Sequence, residues 1–168
     1  MLKSEPMNNE LEIRPIQPED NVALARVIRS VLEEFDAAKP GTVYTDPTTD
    51  HLFELFQTPQ SAYFVAVLNS EIVGGCGIFP TTGLPEGCTE LVKLYLAPAT
   101  RGKGVGKALM ERCFEIAKEK DYTEIYLETL PELHIAVGLY ERLGFEYLDK
   151  PYGESGHFAC DLWMARQL

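Results

Sequence analysis

The sequence predicts a mixed α/β (α+β) fold, a mixed sheet with helices on both faces, in the order β-α-α-β-β-β-α-β-α-β-β. Paired runs of strand character around a polar dipeptide predict an early antiparallel hairpin, and a later apolar run that passes through glycines into helical periodicity predicts a β-α-β unit. A composition of 45% hydrophobic and 24% charged residues over 168 positions is that of a packed globular protein. The length favours one domain, residues 11–168, behind an N-terminal tail of residues 1–10.

"LEIRPI" at residues 11–16 alternates apolar and polar side chains and reads as the first strand, stopped by Pro18. "PEDNVALARVIRSVLEEF" opens with proline and two acids, which suit a helix N-terminus, and places Val22, Leu24, Ala25, Ile28, Val31, Leu32 and Phe35 near helical spacing. Residues 36–50 are rich in turn formers and read as a loop, with a short helix following over "DHLFELFQ". Strands at 62–68 and 71–79 form the hairpin around Asn69 and Ser70. Gly74, Gly75 and Gly77 weaken its second strand and point to a close approach of another backbone. "TELVKLYLAP", residues 89–98, is the fourth strand and "KALMERCFEIAKEK" from Lys107 the next helix, with Ala108, Leu109, Cys113, Ile116 and Ala117 inward. "TEIYLETL" is a strand, "ELHIAVGLYERLGF" a helix stopped by Gly144, residues 145–150 a short strand, and "HFACDLWMARQL" the last strand, after a polar turn at 153–156.

"RGKGVG" between a strand and a helix is the segment most suggestive of chemistry. The first turn of a helix carries unpaired N–H groups and partial positive charge, and glycine lets an anion reach them. Arg101, Lys103 and Lys107 make this a cationic island in a chain of net charge -11. That balance disfavours nucleic acid or an anionic membrane and suits one small anionic ligand. Lys107 stands where a dinucleotide fingerprint requires glycine, and Ala108 where a P-loop requires Ser or Thr, so neither motif fits.

R-x-x-G-x-G over Arg101, Gly104 and Gly106 does fit, and it resembles the acyl-CoA signature of the Gcn5-related N-acetyltransferase (GNAT) family. "AVGLYERLGF" is similar to that family's A-x-x-x-Y-x-x-x-G-F, and element order extends the resemblance over nearly the whole chain. Small bacterial members carrying a similar G-H-x-x-C-D ending look closest. The resemblance implies the GNAT-like acyl-CoA N-acyltransferase fold, with acetyl-CoA as the acetyl donor and no metal. It also implies that the amides of Arg101, Gly102, Lys103, Gly104, Val105, Gly106 and Lys107 hold the pyrophosphate, and that the strand edge at Leu94, Tyr95 and Leu96 pairs with the pantetheine arm.

Acetyl transfer to an amine needs a neutral nucleophile, a sink for the carbonyl oxyanion and a proton for the departing thiolate. By the resemblance, Tyr140 donates that proton and Glu90 takes the amine proton, with Glu128 or water as rivals for the base. A strand-four amide, that of Leu96, is the expected oxyanion sink. Leu133 replaces the asparagine that many members carry. Strand alternation would turn Lys93 to the face opposite Glu90, and set His157 and Cys160 on opposite faces, with Cys160 in the core. His51 and His134 lack partners at metal spacing.

The expected reaction is acetyl transfer from acetyl-CoA to a small-molecule or amino-compound amine by direct attack in a ternary complex. The alternative is an idle acyl-CoA sensor or partner-binding module. Asp36, Asp46, Asp50 and Glu54 in and beside the 36–50 loop would attract a cationic acceptor. Cys76, Cys88, Cys113 and Cys160 form no C-x-x-C pair, and the N-terminus lacks the apolar core of a signal peptide, so a cytoplasmic protein is expected. A homodimer is left open.

Overall fold

The computed structural model describes residues 10–168, so the expected tail lies outside the described residues except for Glu10. The strands are β1 Leu11–Pro15, β2 Ala62–Leu68, β3 Glu71–Phe79, β4 Cys88–Leu96, β5 Glu124–Thr129, β6 Glu146–Leu148 and β7 Leu162–Gln167. The helices are α1 Asn21–Glu34, α2 Leu52–Leu55, α3 Val105–Glu119 and α4 His134–Arg142. The strands form one sheet in the order β1-β2-β3-β4-β5-β7-β6, antiparallel throughout except for β4 against β5. Asn69 and Ser70 both take positive φ, 51° and 65°, as a two-residue hairpin turn matched to strand twist requires.

Helices cover both faces because β2 is apolar on both. Phe64 and Ala66 pack with Leu109, Met110, Cys113 and Phe114 of α3, while Tyr63 and Val65 pack with Leu24, Ile28 and Leu32 of α1. Val22, grouped with the apolar positions of that helix, is 71% exposed, since at 3.6 residues per turn it stands well around α1 from the buried stripe of Leu24, Ile28 and Leu32. The last strand is shorter than expected. Residues 157–161 form a turn, closed by the Cys160 amide donating to the His157 carbonyl, and β7 starts only at Leu162.

The feature that positions the site is a bulge in β4. Gly75 pairs with Tyr95 and Gly77 with Val92, so β4 carries an extra residue there. Val92 packs on the α1 face and Leu94 on the α3 face, although residues two apart in an unbroken strand share a face. Lys93 absorbs the change with φ 54°. Its carbonyl is held by the Tyr63 hydroxyl at 2.8 Å. The β3 glycines make room: a Cβ on Gly75 would meet the Tyr63 ring at 2.5 Å, and one on Gly74 the Tyr95 carbonyl oxygen at 2.4 Å. Beyond the bulge β4 leaves β5, which pairs with it only over Cys88–Glu90.

Candidate active site

The parting of β4 from β5 opens a cleft of about 180 Å³. Leu94, Tyr95 and Leu96 line one side, Leu133, Ala136 and Leu139 of the α4 region the other, and the glycine loop closes the end. Of the expected cofactor residues, all but the exposed Lys103 line this cleft. Gly102 and Gly104 take φ of 75° and 77°, a left-handed course that other residues adopt at a cost, and a Cβ on either would meet open space. The amides of residues 102–107 have no backbone acceptor among the described residues. They stand ahead of a 15-residue helix, where partial positive charge collects. Open amides, an apolar wall and a free strand edge suit the phosphates and extended arm of acetyl-CoA.

The three cations behave differently from one another. Arg101 turns away from the loop, bridging Glu34 at 2.6 Å, donating to the Leu96 carbonyl at 3.0 Å and lying over the Phe35 ring. Lys103 is exposed, and Lys107 is paired only loosely with Glu111 at 3.8 Å.

A smaller chamber of about 50 Å³ adjoins the cleft, sharing Leu94, Tyr95 and Leu133 with it, and is lined by Glu90, Lys93, Glu128, Tyr140, His157 and Cys160. It adjoins an outer pocket of about 230 Å³ bounded by Asp46, Thr81, Glu90, Lys93, Glu154 and His157, sharing Glu90, Lys93 and His157 with it. Leu133 stands where cleft and chamber meet and brings no polar group to that junction. Tyr140 is buried, with its phenol pushed well above its ordinary pKa by desolvation, so it holds its proton at neutral pH.

Glu90 is 4% exposed and accepts a hydrogen bond from Thr81 at Oε2. Burial raises its pKa from the ordinary 4.5 to about 7; Thr81, His157 and Lys93 oppose that rise, and Glu128 adds to it. Glu128 has both oxygens occupied, Oε2 by the Tyr126 hydroxyl at 2.7 Å and Oε1 by Ser155.

The structure corrects three expectations. Lys93 shares the chamber with Glu90, because the bulge suspends the alternation that would have separated them. His157 and Cys160 also line that chamber together, because they sit in a turn rather than a strand. Cys160 is half-buried there, its thiol pushed up to about 12 by burial and neighbouring carboxylates, so it stays protonated and is a poor nucleophile. Among the loop acids, Asp50 is spent on Arg29 at 2.6 Å and Glu54 on Asn21 at 2.8 Å, and Asp36 is exposed, leaving Asp46 alone of the four at the pocket. Asp46 accepts from His157 Nε2 at 2.9 Å, which with the Thr48 contacts holds its carboxyl far below the usual range.

His51 is exposed, and His134 accepts an edge contact with Phe35. Among the described residues no group of three or more His, Cys, Asp or Glu is arranged for a metal, and no helix is long and apolar enough to cross a membrane.

Comparison with known proteins places this geometry. The acetyltransferase (GNAT) family profile matches residues 28–145. The Escherichia coli (strain K12) protein named uncharacterized N-acetyltransferase YjgM is 42% identical over 157 residues, covering 93% of this chain and 94% of that protein. A GNAT family acetyltransferase from Staphylococcus aureus Mu50 superposes with a TM-score of 0.83 at 20% identity, over 94% of this chain and 99% of that one. PaiA N-acetyltransferase from Thermoplasma acidophilum, solved in complex with coenzyme A, gives a TM-score of 0.69 at 20% identity, over 95% and 99% of the two chains. The last two likenesses speak to fold, and the profile and the E. coli relative speak to descent. The chain belongs to the acetyltransferase (GNAT) family and is an acetyl-CoA-dependent N-acetyltransferase.

Proposed function

We propose that the enzyme acetylates the amine of a small amino compound by direct attack in a ternary complex, with Glu90 taking the amine proton and Tyr140 protonating the leaving sulfur. The observation that carries this reading is that Glu90 and Tyr140 line one chamber, which shares walls with the cleft on one side and the outer pocket on the other. Acetyl-CoA, when bound, supplies an activated thioester. The open amides of residues 102–107 and the Leu94–Leu96 edge would hold the donor, with a β4 amide, that of Leu96, facing the carbonyl oxygen as it gains charge.

Glu90 suits its role because Oε1 has no protein donor among the described residues, and a pKa of about 7 lies near working pH. Glu128, with both oxygens engaged, is better suited to fixing the Ser155 turn. The protonated Tyr140 can donate but not attack, and the protonated Cys160 disfavours an acetyl-enzyme route. Four free cysteines suit a reducing, cytoplasmic setting.

Initial velocities over a grid of acetyl-CoA and acceptor concentrations test the ternary complex. Intersecting double-reciprocal lines are expected; parallel lines, with an acetylated enzyme trapped in the absence of acceptor, would refute direct attack.

A further inference from the structure

Lys93 has a polar head for which the fold supplies no hydrogen-bond acceptor. The residue is 8% exposed. Its nearest carboxylate, Asp46, lies at 3.8 Å, an ion-pair distance but beyond hydrogen-bonding range. Asp46 has no need of it: Oδ1 accepts from the Thr48 amide and hydroxyl at 2.9 and 2.7 Å, and Oδ2 from His157. Burial lowers the Lys93 pKa while Asp46 and Glu90 favour its charge, and no described acceptor lies within hydrogen-bonding range of its three donors. Among the described residues the one side-chain polar atom both sealed from solvent and unpaired is Glu132 Oε2, so the Lys93 head is open to the cavity that the residue borders, where its donors are free for a ligand's oxygens.

The position is fixed as well as unpaired. The bulge sets Lys93 at φ 54°, Tyr63 pins its carbonyl, and the side chain borders both the chamber and the outer pocket with Glu90. A backbone held in a costly conformation at a cavity wall is consistent with a functional constraint. The partner must offer acceptor oxygens and negative charge. Asp46, Glu90, Glu128 and Glu154 border the same space, so an anion is tolerated against Lys93 and opposed elsewhere, and a singly charged group is favoured over a phosphate.

We propose that the acceptor is a free amino acid or similarly small amino carboxylate, its carboxylate held by Lys93 and its amine turned toward Glu90. This rests on the acetyl-transfer reading above and narrows it from amines in general to zwitterions. The outer pocket, about 230 Å³, accommodates a molecule of that size. One strand carries both recognition elements: the bulge sets an ammonium and a carboxylate side by side where an unbroken strand would put them on opposite faces.

The test is a set of matched acceptors with the full-length enzyme at saturating acetyl-CoA, following thiol release: each amino acid beside its carboxamide and its decarboxylated amine. For the best series kcat/KM is expected to favour the carboxylate by about ten- to a hundredfold, the range of a hydrogen bond to a charged group. In Lys93→Met that ratio should fall toward one through KM, with acetyl-CoA affinity by calorimetry certifying a folded protein, and Lys93→Arg should restore part of it. Robust turnover of the uncharged partners with no carboxylate preference in any wild-type series overturns the proposal whether or not the variants fold. A preference that survives Lys93→Met overturns the role of Lys93. Absence of thiol release with every acceptor defeats the acetyl-transfer reading itself, a different result from turnover without preference.

Discussion

Replacing Glu90 with glutamine should damage activity and improve stability at the same time. The carboxyl is buried, and its pKa rises from 4.5 in the open chain to about 7 in the fold. A raised carboxyl pKa means that the folded protein holds the proton more tightly than the unfolded one. The resulting stabilisation is complete below pH 4.5 and is lost as pH rises through about 7. At about 1.4 kcal/mol per pH unit, ionising Glu90 inside the fold costs about 3 kcal/mol above pH 8. Glutamine keeps the oxygen that accepts from Thr81 and carries no charge, so the variant escapes that cost.

In a chain of this length about 3 kcal/mol corresponds to roughly 6–12 °C in melting temperature. The variant should therefore melt close to wild type at pH 5 and well above it at pH 8.5. Its turnover at pH 8 should fall by about a hundred- to ten-thousandfold, and the wild-type rise in kcat/KM with an inflection near pH 7 should disappear. Melting curves across pH 5–8.5 together with thiol-release rates provide the assay. A melting difference that does not change with pH would refute the buried, proton-holding carboxyl, and near-wild-type turnover in the variant would remove Glu90 from the proton path.

Tyr140→Phe should lower kcat by about ten- to a thousandfold with acetyl-CoA affinity nearly unchanged, because its proton is needed only as charge leaves on sulfur; equal kcat would dismiss it. Gly104→Val puts a β-branched residue at φ 77°, at a strain of about 1–2 kcal/mol, while its Cβ meets no protein atom within 4 Å. Acetyl-CoA affinity by calorimetry should fall at least about tenfold in a protein that still folds, and unchanged affinity would show that the loop does not bind the phosphates. Tyr63→Phe removes the bond to the Lys93 carbonyl and should cost about 1 kcal/mol in denaturant titrations. It should also slow turnover through a loosened bulge, and unaltered kinetics would show that the bulge holds without it.

Local patterns carried much of the architecture. The Asn69–Ser70 turn, the two-faced apolar β2 and the glycine loop ahead of α3 depend on neighbouring residues, and their spacing is readable along the chain. The contents of the chamber depend on distant partners. His157 meets Asp46 across 111 positions of sequence, and nothing near either residue announces that pairing. The bulge at Lys93 depends on a tyrosine thirty positions earlier, although Gly74, Gly75 and Gly77 on the facing strand were its visible sign. Strict alternation along β4 put Lys93 on the wrong face for that reason. The acids around residue 50 misled because the chain alone does not show that Arg29 and Asn21 on α1 satisfy Asp50 and Glu54.

The central claim is acetyl transfer through a chamber shared by Glu90 and Tyr140. It is tested most directly by incubating the protein with acetyl-CoA and a panel of amines and amino acids, and quantifying free thiol and acetylated amine in the same samples by mass spectrometry. Equimolar thiol and N-acetyl product is expected for wild type, with both suppressed together in Glu90→Gln and Tyr140→Phe. Tight acetyl-CoA binding with no acetylated product from any acceptor would contradict the account and leave a protein that senses the cofactor without using it.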